Sequence, residues 1–198
     1  MHVKDVMTTP VVTLRPETPI KEAAALLVRH GVSGAPVVDE HEQLVGIVSE
    51  SDLMALETTP DPRSRIRLPR WRRVRVPRRV EQVMTRDVVT LPERADVADA
   101  ARLMLERRVK RIPVVAEGRV VGIVSRRDVL RLLARTDGEI RAELQELLSE
   151  EILILGRFEA QVEDGVVTLA GPPDPRARRL AELLARSVGG VVGVRFTT

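Results

Sequence analysis

Gly122-Ile123-Val124-Ser125-Arg126-Arg127-Asp128 repeats, 76 residues downstream, the pattern of Gly46-Ile47-Val48-Ser49-Glu50-Ser51-Asp52. In each copy a short apolar run ends in a serine, two polar positions and an aspartate, and the chain then turns apolar again. The spacing predicts a strand running into the first turn of a helix. Ser-x-x-Asp before an apolar run is a capping box. The unpaired N–H groups and positive dipole end of a helix start also form an anion site. Both readings use the same N–H groups, and neither excludes the other.

The twin stretches close a longer internal repeat. Val6-Met7-Thr8 recurs as Val83-Met84-Thr85, Val11-Val12-Thr13-Leu14 as Val88-Val89-Thr90-Leu91, and Pro36-Val37-Val38 as Pro113-Val114-Val115, all at an offset of 77. One deletion after Val115 brings the offset to 76. Period and punctuation predict, in the first copy, a strand over 11–14 and a helix with Thr18 as N-cap, Pro19 at N1 and Gly31 as stop. Ile20, Ala23, Ala24, Leu27 and Val28 would form its apolar face. Strands over 35–38 and 44–48 and a helix over 50–56 complete the unit. The second copy reads as strand 88–91, helix 97–107, strands 112–115 and 120–124, and helix 126–134.

Composition narrows the function classes. Among 198 residues, 43% are hydrophobic and 31% charged, an ordinary globular balance. Aromatics make up only 2%, which disfavours base stacking on single-stranded nucleic acid. The absence of cysteine excludes disulfides, thiolate metal sites and thiol catalysis. The first residues show no apolar signal segment and no apolar run approaches a membrane span, so a cytoplasmic protein is expected. The net charge of +3 conceals an uneven distribution. Residues 61–79 hold nine arginines and one acid, and the remainder of the chain is net negative.

The repeat of strand, helix, two strands and helix, opened by Met-Thr and closed by Gly-hydrophobic-hydrophobic-Ser-x-x-Asp, resembles a tandem pair of CBS domains, a Bateman module. The resemblance covers residues 1–57 and 80–136 and implies an α/β (α+β) fold of two pseudo-symmetric β-α-β-β-α repeats packed as one module. It further implies an adenine nucleotide or related adenosyl ligand (AMP, ADP, ATP, S-adenosylmethionine or NAD) in the inter-repeat clefts. Carried onto this chain, Asp52 and Asp128 would take ribose hydroxyls, and Ser49 and Ser125 phosphate. Ala35-Pro36 and Ile112-Pro113 would line the base pocket, with Thr13 and Thr90 near its floor. A carboxylate can accept two hydrogen bonds from a vicinal diol, which suits the aspartate role. Gly46 and Gly122 would admit a close backbone approach or mark a bulge.

The copies differ in charge. Where the first has Ser33-Gly34 and Glu50-Ser51, the second has Lys110-Arg111 and Arg126-Arg127. Four cations about one helix start would suit a phosphorylated ligand, and as a solvated face they would need no ligand. On the first view the phosphates lie on the second-repeat side.

Residues 58–79 form an arginine-rich linker holding the only tryptophan, Trp71. An Arg63–Arg79 contact with nucleic acid or anionic lipid is the alternative function, and a solvated linker the plain one. From Asp137 the pattern changes. Ile140, Leu144, Leu147 and Leu148 share a helical face, and Phe158, Ala160 and Val162 alternate. Asp164-Gly165 signals a hairpin, and Asp174-Pro175 starts a helix with a stripe of Leu180, Leu183, Leu184 and Val188, before a last strand over 191–196. Asp-Gly-Val-Val-Thr-Leu-x-Gly and the late Gly-Val-Val-Gly-Val resemble a BON domain, a small α-β-β-α-β unit over 137–198. That resemblance implies a phospholipid or protein partner.

The expected function is regulatory and non-enzymatic, with no catalytic residue, no metal site and no catalytic cofactor. The three histidines, His2, His30 and His41, fall at a terminus, a helix end and a loop. The CBS resemblance implies a homodimer.

Overall fold

The computed structural model describes residues 1–56, 77–151 and 156–197. Helix α1 (Ile20–His30) stops at Gly31, whose φ of 61° is the left-handed turn that glycine adopts without strain. Pro19, not Thr18, occupies the N-cap, while Thr18 Oγ1 accepts the Arg15 N–H at 3.0 Å. Strands β1 (Gly34–Val38) and β2 (Leu44–Ser49) pair antiparallel, with Gly34 opposite Ser49 and Ala35 opposite Val48. The chain then enters α2 (Glu50–Met54). The second copy gives α3 (Val97–Glu106), the paired strands β3 (Arg111–Ala116) and β4 (Arg119–Ser125), and α4 (Arg126–Leu133).

The expected strands over 11–14 and 88–91 shrink to single parallel bridges, Leu14 with Val37 and Leu91 with Val114. Flanking prolines explain this, since Pro10, Pro16 and Pro92 cannot donate to a ladder.

The chain divides into two units: residues 7–95 with 111–124, and residues 1–6 with 96–110 and 125–198. In the first, Leu14, Ala23, Leu27, Ala35, Val37, Val48, Val80 and Met84 form one core. The two repeat openings are exchanged within it. Thr8 bridges Ile123 of β4, and Thr85 bridges Ile47 of β2. Met84 packs over Gly46, where a β-carbon would lie 2.7 Å from its sulfur, and Met7 packs over Gly122 in the same way. The two strand glycines thus make room for methionines of the opposite repeat.

The second unit contains α3 and α4 together with α5 (Asp137–Glu150), β5 (Glu159–Glu163), β6 (Val166–Ala170), α6 (Pro175–Ser187) and β7 (Gly193–Phe196). β6 pairs antiparallel with β5 and parallel with β7. Asp164 and Gly165, at φ 51° and 72°, make the hairpin turn, and both their N–H groups donate to the Asp137 carboxylate at 2.9 Å. Ile140, Leu144, Leu148, Val167, Leu169, Ala177, Ala181 and Ala185 are core. The α6 stripe is corrected: Ala177, Ala181, Ala185 and Val188 are buried, Leu180 and Leu184 partly so, and Leu183 is exposed. Alanines at i, i+4 and i+8 let the helix sit close on the sheet. Val28 likewise leaves the expected core face of α1 and is exposed.

Candidate functional site

Both Ser-x-x-Asp stretches fold as capping boxes of matching geometry. Ser49 N–H and Oγ donate to Asp52 Oδ2 at 2.8 and 2.7 Å. Ser125 N–H and Oγ donate to Asp128 Oδ2 at the same distances. The serines are N-caps with extended backbone, which aims each hydroxyl at the first turn of its helix. Asp52 is half-buried, whereas Asp128, 6% exposed, is fully buried and also receives Arg131 Nη1 on Oδ1 at 3.3 Å. One carboxylate oxygen thus serves the cap in each box, and a carboxylate retains lone pairs for further donors such as ribose hydroxyls.

In the first unit Leu14 N–H donates to Pro36 C=O at 2.9 Å, which brings Thr13 beside β1. Pro36 is opposite Ile47, and Ala35 directly follows Gly34, the partner of Ser49 at the strand end. Thr13, Ala35, Pro36, Ser49 and Asp52 are therefore neighbours along one strand pair. Leu91 N–H donates to Pro113 C=O at 3.2 Å, so Thr90 stands by Pro113 as Thr13 stands by Pro36. Ala35 and Ile112 are wholly buried. Thr90, Ile112 and Pro113 fall in the first unit, and Lys110, Ser125, Arg126, Arg127 and Asp128 in the second.

The expected ring of four cations at the second motif is corrected. Arg111 Nη2 donates to Ser33 Oγ, in the first repeat. Burial lowers its pKa, with Glu50 and then Asp52 opposing that shift. Arg126 is spent on α3: its Nη2 donates to Met104 C=O and its Nε to Val109 C=O, each at 3.2 Å. The Met104 carbonyl is one that the end of α3 leaves open, and Val109 lies just beyond that end. Lys110 and Arg127 remain, both exposed. A clue lay in the sequence: small Ser33-Gly34 matches large Lys110-Arg111, the pattern of one repeat making space for the other's side chain. Trp71 and the linker arginines up to Arg75 lie outside the described residues.

Comparison with known proteins gives the family. The CBS domain model matches residues 3–57 and 80–135, and the BON domain model residues 136–196. The chain belongs to the CBS-domain family and ends in a BON domain. An uncharacterized protein of Methanocaldococcus jannaschii is 32% identical over 154 residues, 67% of this chain and 91% of its own. Inosine-5'-monophosphate dehydrogenase of that organism is 33% identical over 128 residues, 64% of this chain. The match spans only 22% of that enzyme's length.

Two solved CBS structures are similar to the CBS pair. One is the CBS domain pair of MJ0100 in complex with 5'-methylthioadenosine and S-adenosyl-L-methionine, at 32% identity and TM-score 0.57, covering 68% of this chain and 96% of that one. The other is CBSX2 in complex with AMP, at 32% identity and TM-score 0.54, covering 66% and 93%. Among the described residues, no helix is long and apolar enough to cross a membrane.

Proposed function

We propose that this protein is a non-enzymatic regulatory device whose CBS pair binds an adenosyl ligand and whose BON domain passes the bound state to a protein or phospholipid partner. The twin Ser–Asp boxes carry the reading. Each offers a carboxylate and a hydroxyl at a helix start, the chemistry that a ribose diol and a phosphate require. The adenosyl complexes of the similar CBS proteins support the ligand class. Ser49 and Ser125 would take phosphate, Asp52 and Asp128 ribose, and the backbone about Ala35-Pro36 and Ile112-Pro113 the base, with Thr13 and Thr90 beside it. Lys110 and Arg127 would supply the cations at the second motif, while Arg126 holds α3 and Arg111 lies toward the first repeat. The ligand regulates by binding one conformation more tightly than another.

Titration calorimetry and thermal shift with AMP, ADP, ATP, NAD and S-adenosylmethionine test this. At a hundredfold excess over Kd, binding to the native state alone stabilises by about 2.7 kcal/mol. Asp52→Ala and Asp128→Ala should each weaken binding at their own motif roughly tenfold or more. No heat and no shift from any of the five would end the adenosyl reading. Flotation with anionic vesicles, compared with neutral ones, separates a lipid partner from a protein one.

A further inference from the structure

The two boxes differ at the position three residues past the aspartate. In each box Oδ2 accepts both the N–H and the hydroxyl of its serine. An ionised carboxylate has about four lone-pair sites, so Oδ1 is left with about two. On Asp128 one of these is taken, since Arg131 Nη1 donates to Oδ1 at 3.3 Å. Ala55 holds the matching position of the first copy, a side chain with no donor to give. Among the described residues, the hydrogen-bond donors to Asp52 are those of Ser49, both on Oδ2. Asp128 is 6% exposed and Asp52 half-buried, so the first carboxylate is also the more open. A ribose diol brings a pair of O–H donors. Asp52 has a site free for each, whereas Asp128 has one only when Arg131 lets go.

We infer that Arg131 makes the two motifs unequal: it competes with the ribose diol for Asp128, so the adenosyl ligand fills the first motif ahead of the second, and the first depends more strongly on an intact diol. The inference rests on the adenosyl-binding reading of the CBS pair. Arg131 acts through Asp128 and is a positioning residue. Its side chain is 69% exposed, and an ion pair so exposed is weak. A ligand can therefore displace the guanidinium into water, and the second motif is handicapped rather than closed.

Calorimetry with AMP and 2'-deoxy-AMP decides it, on the full chain carrying Asp128→Ala to read the first motif and Asp52→Ala to read the second. The two ligands carry the same charge, so their affinity ratio reports the diol alone. Loss of the 2'-hydroxyl should cost about tenfold at the first motif and about threefold or less at the second. Adding Arg131→Ala should bring the second-motif ratio up to that of the first, which the loss of a merely structural arginine would not do. With both boxes intact, Arg131→Ala should narrow the gap between two classes of AMP site, which keeps the test decisive even if a box variant fails to fold. Equal ratios at the two motifs, a second-motif ratio indifferent to Arg131→Ala, or two classes left as far apart as before each overturn the role of Arg131 alone. AMP binding that vanishes with Asp52→Ala, whether or not Arg131→Ala is added, also overturns it. No binding of AMP to the unsubstituted protein overturns this inference, and no binding of any adenosyl ligand overturns the adenosyl reading with it.

Discussion

Arg135, just past the end of α4, donates from Nη1 to the carbonyl oxygen of Gly189 at 3.0 Å, tying the second CBS repeat to the turn after α6. Its Nη2 meets Glu143 of α5 at 2.7 Å. Gly189 packs so closely that a β-carbon would lie 2.7 Å from Met1 Cε and 2.9 Å from Leu132 Cδ2. α4 therefore has a Ser–Asp box at one end and a BON-domain contact at the other. Arg135→Ala should lower the free energy of unfolding by about 1–2 kcal/mol, since it removes a charge-assisted hydrogen bond and a partly exposed ion pair. Denaturant unfolding measures this, and hydrogen exchange should speed up at Gly189–Val192. An unchanged midpoint with unchanged exchange would show the contact to be energetically idle.

Gly122 is held small by Met7. Gly122→Ala should destabilise by about 1–3 kcal/mol, because the added carbon falls on the Met7 side chain. In a Met7→Ala background the same change should cost at least about 0.5 kcal/mol less. A double-mutant cycle reads the difference, and strict additivity would refute the packing account.

Glu139 titrates below the usual carboxylate range because the Thr136 N–H and hydroxyl both donate to it, at 2.8 Å each. A carboxyl with a depressed folded pKa contributes stability above its unfolded pKa and loses it as the pH falls through the folded value. The α5 start should therefore weaken only as acid protonates Glu139. Thr136→Ala should raise the Glu139 pKa toward the ordinary value in an NMR titration; no movement would mean that another group holds it down.

Val28 and Met54 in the first repeat, and Leu105 and Leu130 at the matching positions of the second, are 83%, 68%, 72% and 62% exposed. A surface of large aliphatics repeated on both helix pairs supports the proposed homodimer. Light scattering at micromolar concentration should give the mass of two chains, and Met54→Asp with Leu130→Asp should give one. The mass of a single chain for the unsubstituted protein would remove the proposal.

Much of this was legible because it is local chemistry. Ser49 with Asp52, Ser125 with Asp128, and Asp174, whose carboxylate accepts the Ala177 N–H at 2.8 Å, are partners three residues apart. The Asp164-Gly165 turn needs only two residues with positive φ. Periodicity failed where neighbours outside the segment decide burial. It could not tell that α6 packs through alanines while Leu183 faces outward, or that Val28 stays exposed on α1.

The sequence by itself determined the twin repeats, their caps and turns, and the residues of the two boxes, because each depends on contacts a few residues apart. Only the tertiary structure decided which repeat each long side chain serves. Met7 fills the space over Gly122 and Met84 that over Gly46. Arg126 closes the end of α3, and Arg111 crosses to Ser33. A repeat offset states that two positions correspond, but an arginine or methionine reaches several ångströms from its backbone. Its destination follows from where a glycine or an open carbonyl leaves room.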